Sequence, residues 1–82
     1  MEVIKSFTGV WHVPVFGTYT KEVKETISII HCDTLYIVMR ITDQMEDGSS
    51  VPIETKHTRD YDKALDWYEE WNEVLMWNMT KR

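Results

Sequence analysis

The last third of the chain constrains the fold most, because it is the one segment with the spacing of a long helix. Between Asp60 and Met79, apolar side chains recur at i, i+3 and i+4 intervals, and neither proline nor glycine interrupts them. Thr58 and Asp60 are both suitable N-caps, and the acids in the following turn favour a helix N-terminus. The sequence therefore predicts one helix from about Tyr61 to about Met79.

The preceding residues have the composition of strands. Residues 3–16 are rich in Val, Ile, Phe and Trp, and residues 24–31 and 51–57 are also strand-like. Residues 35–43 form a nearly continuous apolar run, which favours a central position in a sheet. Gly9 is typical of a bulge, and Pro14 indicates an edge strand, a bulge or a strand end. Residues 16–18 and 46–50 have turn-forming composition.

This order predicts an α+β fold in a single domain, residues 1–82. An antiparallel, meander-like sheet of three to four strands should carry one C-terminal helix packed on one face (β-β-β-β-α). The other face must then be polar, paired with a second copy or docked on a partner. Alternating positions predict that both faces carry apolar groups, with Ile27, Ile29, Leu35, Ile37, Met39 and Ile41 on one side and Ile30, Tyr36 and Val38 on the other.

Composition limits the class of protein. With 82 residues, the chain is near the lower end of the size range that folds without disulfides or structural metals. A composition of 43% apolar residues with only three glycines argues for a packed globular domain. Cys32 is the single cysteine, so no intrachain disulfide forms. The N-terminus has no signal-peptide pattern, and the apolar runs are far shorter than the ~20 residues of a membrane helix. We expect a cytoplasmic protein that does not enter a membrane.

The net charge is −5, and residues 58–79 hold six acids and two bases. Nucleic-acid binders usually need a basic patch, because neutralised phosphates supply most of their affinity. We therefore expect no direct nucleic-acid binding. The acidic balance favours a protein partner with a basic surface, or serves solubility alone.

At 100° per residue, the predicted helix divides into sectors. The core face comprises Tyr61, Ala64, Leu65, Tyr68, Trp71, Leu75 and Met79. A second sector is acidic, and two tryptophans lie outside the core face. The acidic sector is either a solvated surface or a binding surface, and the tryptophans either pack locally or anchor a partner. The candidate partner-binding residues are Trp67, Trp77, Asp62, Asp66, Glu69 and Glu73.

The residues that carry catalytic or metal chemistry form no convincing site. His31 and Cys32 are adjacent on a predicted strand and therefore point to opposite faces. His12 and His57 would meet only if their strands pair. The acids Asp43, Glu46 and Asp47 lack the alternating ligand spacing of a calcium loop. We expect no enzyme activity, no metal and no cofactor.

Small size, acidic balance and surplus tryptophan predict a small protein-binding module. The specific hypothesis is an inhibitor of viral or mobile-element origin that occupies a surface of a larger host protein, a basic, nucleic-acid-binding surface being one such target. The alternative is a homo-oligomer with a structural or small-ligand-binding role, in which Trp67, Trp71 and Trp77 line the interface. An enzyme ranks third, and binding of single-stranded nucleic acid ranks fourth because the net charge opposes it.

Overall fold

The computed structural model is the predicted two-layer α+β fold, a four-stranded antiparallel sheet with one helix packed on it. It describes residues 1–15, 19–43 and 51–80, and the side chains among these except 13–15, 19–21 and 51–53. The turns predicted at 16–18 and 46–50 lie outside the described residues. The elements in chain order are β1 (Glu2–Val15), β2 (Tyr19–Cys32), β3 (Leu35–Asp43), β4 (Val51–Thr58) and α1 (Tyr61–Thr80).

The strand order is β1-β2-β3-β4, so β3 is central, as predicted, and β1 and β4 are the edges. Pro14 lies one residue before the end of β1, which confirms its placement on an edge strand. β1 and β2 pair over their whole length, whereas β3 pairs with β2 only from Lys24 to Cys32. The β1–β2 hairpin therefore extends beyond β3, and its 14 residues account for the long axis of 48 Å.

The turn between β2 and β3 decides which residues share a face. Cys32 pairs with Leu35 across a two-residue turn, and Asp33 adopts a left-handed φ of 55°, which Asp tolerates better than most residues. Two residues that pair across neighbouring strands point to the same face of the sheet. Here each odd-numbered residue of β2 pairs with an even-numbered residue of β3, so odd residues of β2 share a face with even residues of β3. Both faces carry apolar groups, as predicted, but the grouping was wrong: the helix side has Ile27, Ile29, Tyr36 and Val38, and the other side has Ile30, Leu35, Ile37, Met39 and Ile41.

The core lies between α1 and alternate residues of β2. Ile27 and Ile29 are fully buried at its centre. The predicted core face of the helix is confirmed in its middle, where burial follows the i, i+3 and i+4 spacing of Ala64, Tyr68, Trp71 and Leu75. The face is incomplete at its ends: Tyr61 and Leu65 are half-buried, and Met79 is 42% exposed.

The start of α1 is fixed by side-chain oxygens. The backbone N–H of Asp62 donates to Oδ1 of Asp60 over 3.0 Å, and the backbone N–H of Ala64 donates to the carbonyl of Asp60 over 3.1 Å. Thr58 Oγ1 in turn accepts the N–H of Asp60 over 3.1 Å. Asp60 is therefore the N-cap, and it is one of the two residues that the sequence predicted for this role.

Gly9 does not form the predicted bulge. The irregularity of β1 lies between Val3 and Lys5, and Gly9 keeps a regular pairing with β2. Gly9 is buried beneath the C-terminal part of α1, where an added Cβ would contact Met79 Sδ and approach Leu75 to 3.3 Å. The glycine allows the helix to approach the sheet closely, and this packing requirement explains its place in a strand.

Candidate protein-binding surfaces

Four of the acids on the outer side of α1 form what we call the acidic stripe: Asp62, Asp66, Glu69 and Glu73. All four side chains are exposed, because they lie on the opposite side of the helix from the buried core row. Glu73 follows Asp62 by eleven positions, so the stripe runs about 16 Å along the helix axis. The structure therefore presents the predicted acids together on one surface.

The acidic stripe ends beside a group of exposed apolar side chains. Trp77 is 59% exposed, and Val74 and Met76 are each 51% exposed. Trp77 follows Glu73 by four residues, which places it one turn further along the same side of the helix. Val74 lies at i, i+3 from Trp77 and adjoins it on the helix surface, whereas Met76 lies on the other flank, so Trp77 and Val74 form a small exposed apolar pair. Trp77 thus combines exposure with a position at the end of the stripe.

Trp67 has a different environment from Trp77. It is half-buried and packs against the core cluster. The Nζ atoms of Lys56 and Lys63 lie 5.3 and 5.4 Å from its ring centroid, which is the range of cation–π contacts. The Nζ atom of Lys56 also lies 5.5 Å from the ring centroid of Trp71. The fold therefore already uses much of the Trp67 ring, and its role as a partner contact stays a prediction.

A buried polar cluster beneath α1 was missed by sequence reasoning. Oε1 of Glu25 lies 2.7 Å from Nε of Arg40, and Trp11 donates from Nε1 to Oε2 of Glu25 over 3.2 Å. The side chain of Glu25 is only 6% exposed. The sequence did contain a signal, because Glu25 stands between Val23 and Ile27 in the alternating series that faces the helix.

A cleft of about 280 Å³ opens beside this cluster, between the C-terminal half of α1 and the sheet. Its charged groups contact each other: Arg40 neutralises Glu25, and the second carboxylate oxygen accepts the Trp11 N–H. The buried charge of Glu25 is therefore compensated within the fold. The residues that line the cleft are Trp11, Glu25, Arg40, Trp71, Val74, Leu75 and Asn78.

The sheet face opposite α1, which we call the open face, has a distinct pattern. Four apolar side chains of β3 follow one another along it and form what we call the apolar ridge: Leu35, Ile37, Met39 and Ile41. Hydroxyl pairs lie beside the ridge, with Ser6 Oγ and Ser28 Oγ 3.2 Å apart and Thr8 Oγ1 and Thr26 Oγ1 3.0 Å apart. The described part of α1 does not cover this face.

The histidines and the cysteine are dispersed. The His31 ring stacks on Tyr36 at a centroid distance of 4.6 Å on the helix side, while Cys32 lies on the open face, so the two adjacent residues point apart as predicted. His12 and His57 lie on β1 and β4, the opposite edges of the sheet. The strand pairing that would bring them together does not occur, because β2 and β3 lie between β1 and β4.

The described residues contain no group of three or more His, Cys, Asp or Glu side chains placed to hold a metal ion. No helix in this part of the chain is both long and apolar enough to cross a membrane. Comparison of the chain with protein-family models, curated proteins and solved structures finds no match.

Proposed function

We propose that this protein is a small acidic protein-binding module whose contact surface is the outer side of α1. The observation that carries the proposal is the position of the exposed Trp77 at the end of the acidic stripe. Tryptophan is enriched in interface hot spots because it buries a large area at small entropic cost. The negative charges of the stripe beside Trp77 speed association with a basic surface and disfavour association with an acidic surface. The partner is a protein with a basic groove.

The number of charges per unit length of the acidic stripe indicates which kind of basic groove it would fit. Over the roughly 16 Å of the stripe, duplex DNA carries about ten charges and one strand about five. The stripe supplies four, so its charge resembles that of one nucleic-acid strand more than that of a duplex. This supports the inhibitor form of the proposal, in which α1 occupies a basic, nucleic-acid-binding surface of a larger host protein. A viral or mobile-element origin stays a prediction.

The acids and the tryptophan make contributions of similar size. An exposed ion pair stabilises a complex by about 0.2–1 kcal/mol, so four pairs supply about 1–4 kcal/mol, and this part decreases as salt is added. A tryptophan hot spot supplies about 2 kcal/mol or more, with little dependence on salt. Binding through this surface should therefore be weakened, but not abolished, by moderate salt.

Two charge-reversed variants test the proposal. Glu69→Lys/Glu73→Lys reverses two acids of the stripe, and the matched control Glu2→Lys/Glu54→Lys reverses two exposed acids elsewhere, so both variants change the net charge equally. The wild type and the control should capture the same proteins from an extract of the native host. The stripe variant should no longer capture them. Trp77→Ala should weaken binding of an identified partner about tenfold or more.

The proposal fails if the stripe variant captures the same proteins as the wild type at low salt. It also fails if both variants lose capture equally, because net charge rather than this surface would then be responsible. Circular dichroism on each variant establishes that the fold is retained.

The alternative, self-association through the aromatic residues of the helix, has less support. Trp71 is only 8% exposed, and Trp67 packs against the core. Only Trp77 of the three predicted interface residues is largely exposed. Two copies joined through the outer side of α1 would also bring two acidic stripes together, and like charges across an interface are unfavourable.

A further inference from the structure

We propose that two copies of this chain form a two-fold symmetric dimer through the open face of the sheet. This inference concerns a different surface from the one proposed for partner binding and does not depend on it. Four properties of the open face carry it: its apolar ridge, the internal pairing of its hydroxyl groups, the balance of its charges and its area.

The apolar ridge gives the interface its centre. Leu35 to Ile41 spans about 20 Å along β3, the strand at the middle of the sheet. Ile37 is flanked by Ile30 and, beyond it, by Val3, which is 59% exposed. A contiguous apolar strip with more polar neighbours is typical of an interaction surface. When two sheets pack face to face at about 10 Å, such ridges interdigitate.

The hydroxyl groups beside the ridge are suited to being covered. Ser6 bonds to Ser28, and Thr8 bonds to Thr26, across the β1–β2 pair. A buried hydroxyl without a partner costs about 1–3 kcal/mol, whereas one that is already hydrogen-bonded avoids most of this cost. A second sheet that covers these four side chains therefore has to satisfy only the one hydroxyl proton that each pair leaves over.

The charges on the open face favour a second copy over a charged partner. In a two-fold interface each patch meets a copy of itself, so a patch of one sign repels itself. Here opposite charges lie together at one end, where Lys24 of β2 stands directly opposite Asp43 of β3 in the strand register. The acidic stripe lacks this balance. The open face is thus the surface on which self-association carries little electrostatic cost.

The area is sufficient for a weak dimer. Four strands about 4.8 Å apart and about nine residues long present roughly 550–600 Å². Two copies would bury about 1,100–1,200 Å², just below the usual range of stable interfaces and above most crystal contacts. We therefore expect a dissociation constant on the order of micromolar or weaker.

Sedimentation equilibrium of the full chain from about 1 to about 500 µM tests the dimer, a range that spans weak interfaces. The wild type should pass from monomer to dimer and no further, because an isologous interface closes at two copies. Met39→Lys should raise the dissociation constant at least tenfold by placing a charge in the ridge. Ser28→Lys adds a charge beside the ridge and leaves every ridge residue in place, so it should have the same effect. Met39 and Ser28 are both partly exposed in a single copy, so a lysine at either position can reach solvent in the monomer. Circular dichroism establishes that each variant keeps the fold.

Met76→Lys is the matched control on α1 and should leave the dissociation constant unchanged. The proposal is overturned by a wild type that stays monomeric up to ~500 µM, by a dimer that persists in both sheet variants, or by a dimer that Met76→Lys dissociates. Assembly beyond two copies also overturns it. Glu69→Lys/Glu73→Lys should dimerise normally, so a failure of this inference is distinguishable from a failure of the proposed partner binding.

Discussion

Arg40→Met should destabilise the protein far more than Glu25→Gln, because the two partners of the ion pair differ in burial. The side chain of Glu25 is 6% exposed and that of Arg40 is 28% exposed. Without Arg40, the Glu25 carboxylate keeps only the Trp11 N–H, and an uncompensated buried charge costs about 3–5 kcal/mol. Glu25→Gln keeps an acceptor for Trp11 and leaves Arg40 partly hydrated, so it should cost about 1–2 kcal/mol.

These losses are large for a chain of this size. At about 0.05–0.15 kcal/mol per residue, the free energy of unfolding is about 4–12 kcal/mol, so Arg40→Met removes about a quarter of it or more. Urea unfolding followed by tryptophan fluorescence and circular dichroism measures each change as a shift of the midpoint at constant slope. Glu22→Gln is the control, since it alters the exposed pair with His12 and should change the free energy of unfolding by less than about 0.5 kcal/mol.

The double variant decides whether charge or packing is responsible. Glu25→Leu/Arg40→Met replaces the pair by apolar side chains and should lie within about 1 kcal/mol of the wild type, because neither charge is then left unpaired. The cycle with the two corresponding single variants should show a coupling of about 2 kcal/mol or more. The reasoning is refuted if Arg40→Met costs less than about 1 kcal/mol, or if the losses of the single variants simply add.

Three further variants test local packing, each through its urea midpoint. Asp60→Ala removes the acceptor of the Asp62 N–H and should cost about 0.5–2 kcal/mol, and Asp60→Asn should recover most of this; equal losses would contradict the capping role. Gly9→Val should cost about 1–3 kcal/mol by overpacking against Met79 and Leu75, and Met79→Ala in that background should recover part of it; a neutral Gly9→Val would contradict the close approach of helix and strand. Leu75→Ala should cost about 2–5 kcal/mol, and a loss below that range would place this residue outside the core.

The elements of the fold were predictable because their signals are local. The helix has a 3.6-residue period and a capping aspartate at its start, and both are properties of a few consecutive residues. The central position of β3 followed from its continuous apolar character. One helix after four strands leaves few arrangements, and an antiparallel meander is the simplest of them.

The faces of the sheet were not predictable in the same way, because they depend on register. If the turn at Asp33 held one residue more or fewer, Ile37 and Met39 would face α1 instead of the open face. Only the observed pairing of Cys32 with Leu35 settles this. Gly9 was misinterpreted for a related reason: its role depends on Met79 and Leu75, which are distant in sequence.

The candidate surfaces were partly predictable. The acidic stripe follows from helical periodicity alone, and the structure exposes its acids as a group. The different environments of Trp67 and Trp77 required tertiary structure, since the lysine over both Trp67 and Trp71 comes from β4. Glu25 was detectable as a charged residue in an apolar alternation, but its partner Arg40 becomes identifiable only once β2 and β3 are in register.

Ionic strength separates the two proposed surfaces. Salt shortens the Debye length from about 10 Å at 0.1 M to about 3 Å at 1 M, so binding through the acidic stripe should weaken steeply. Burial of the apolar ridge depends little on screening.

A dimer joined through its open faces directs its two α1 helices away from each other, so each copy keeps its own stripe available. Such a dimer is bivalent, and its binding to a surface with several basic sites gains from effective concentration. Ser28→Lys should therefore reduce the avidity for an immobilised partner and leave the affinity of a single copy intact. If it reduces both equally, the two surfaces are not independent.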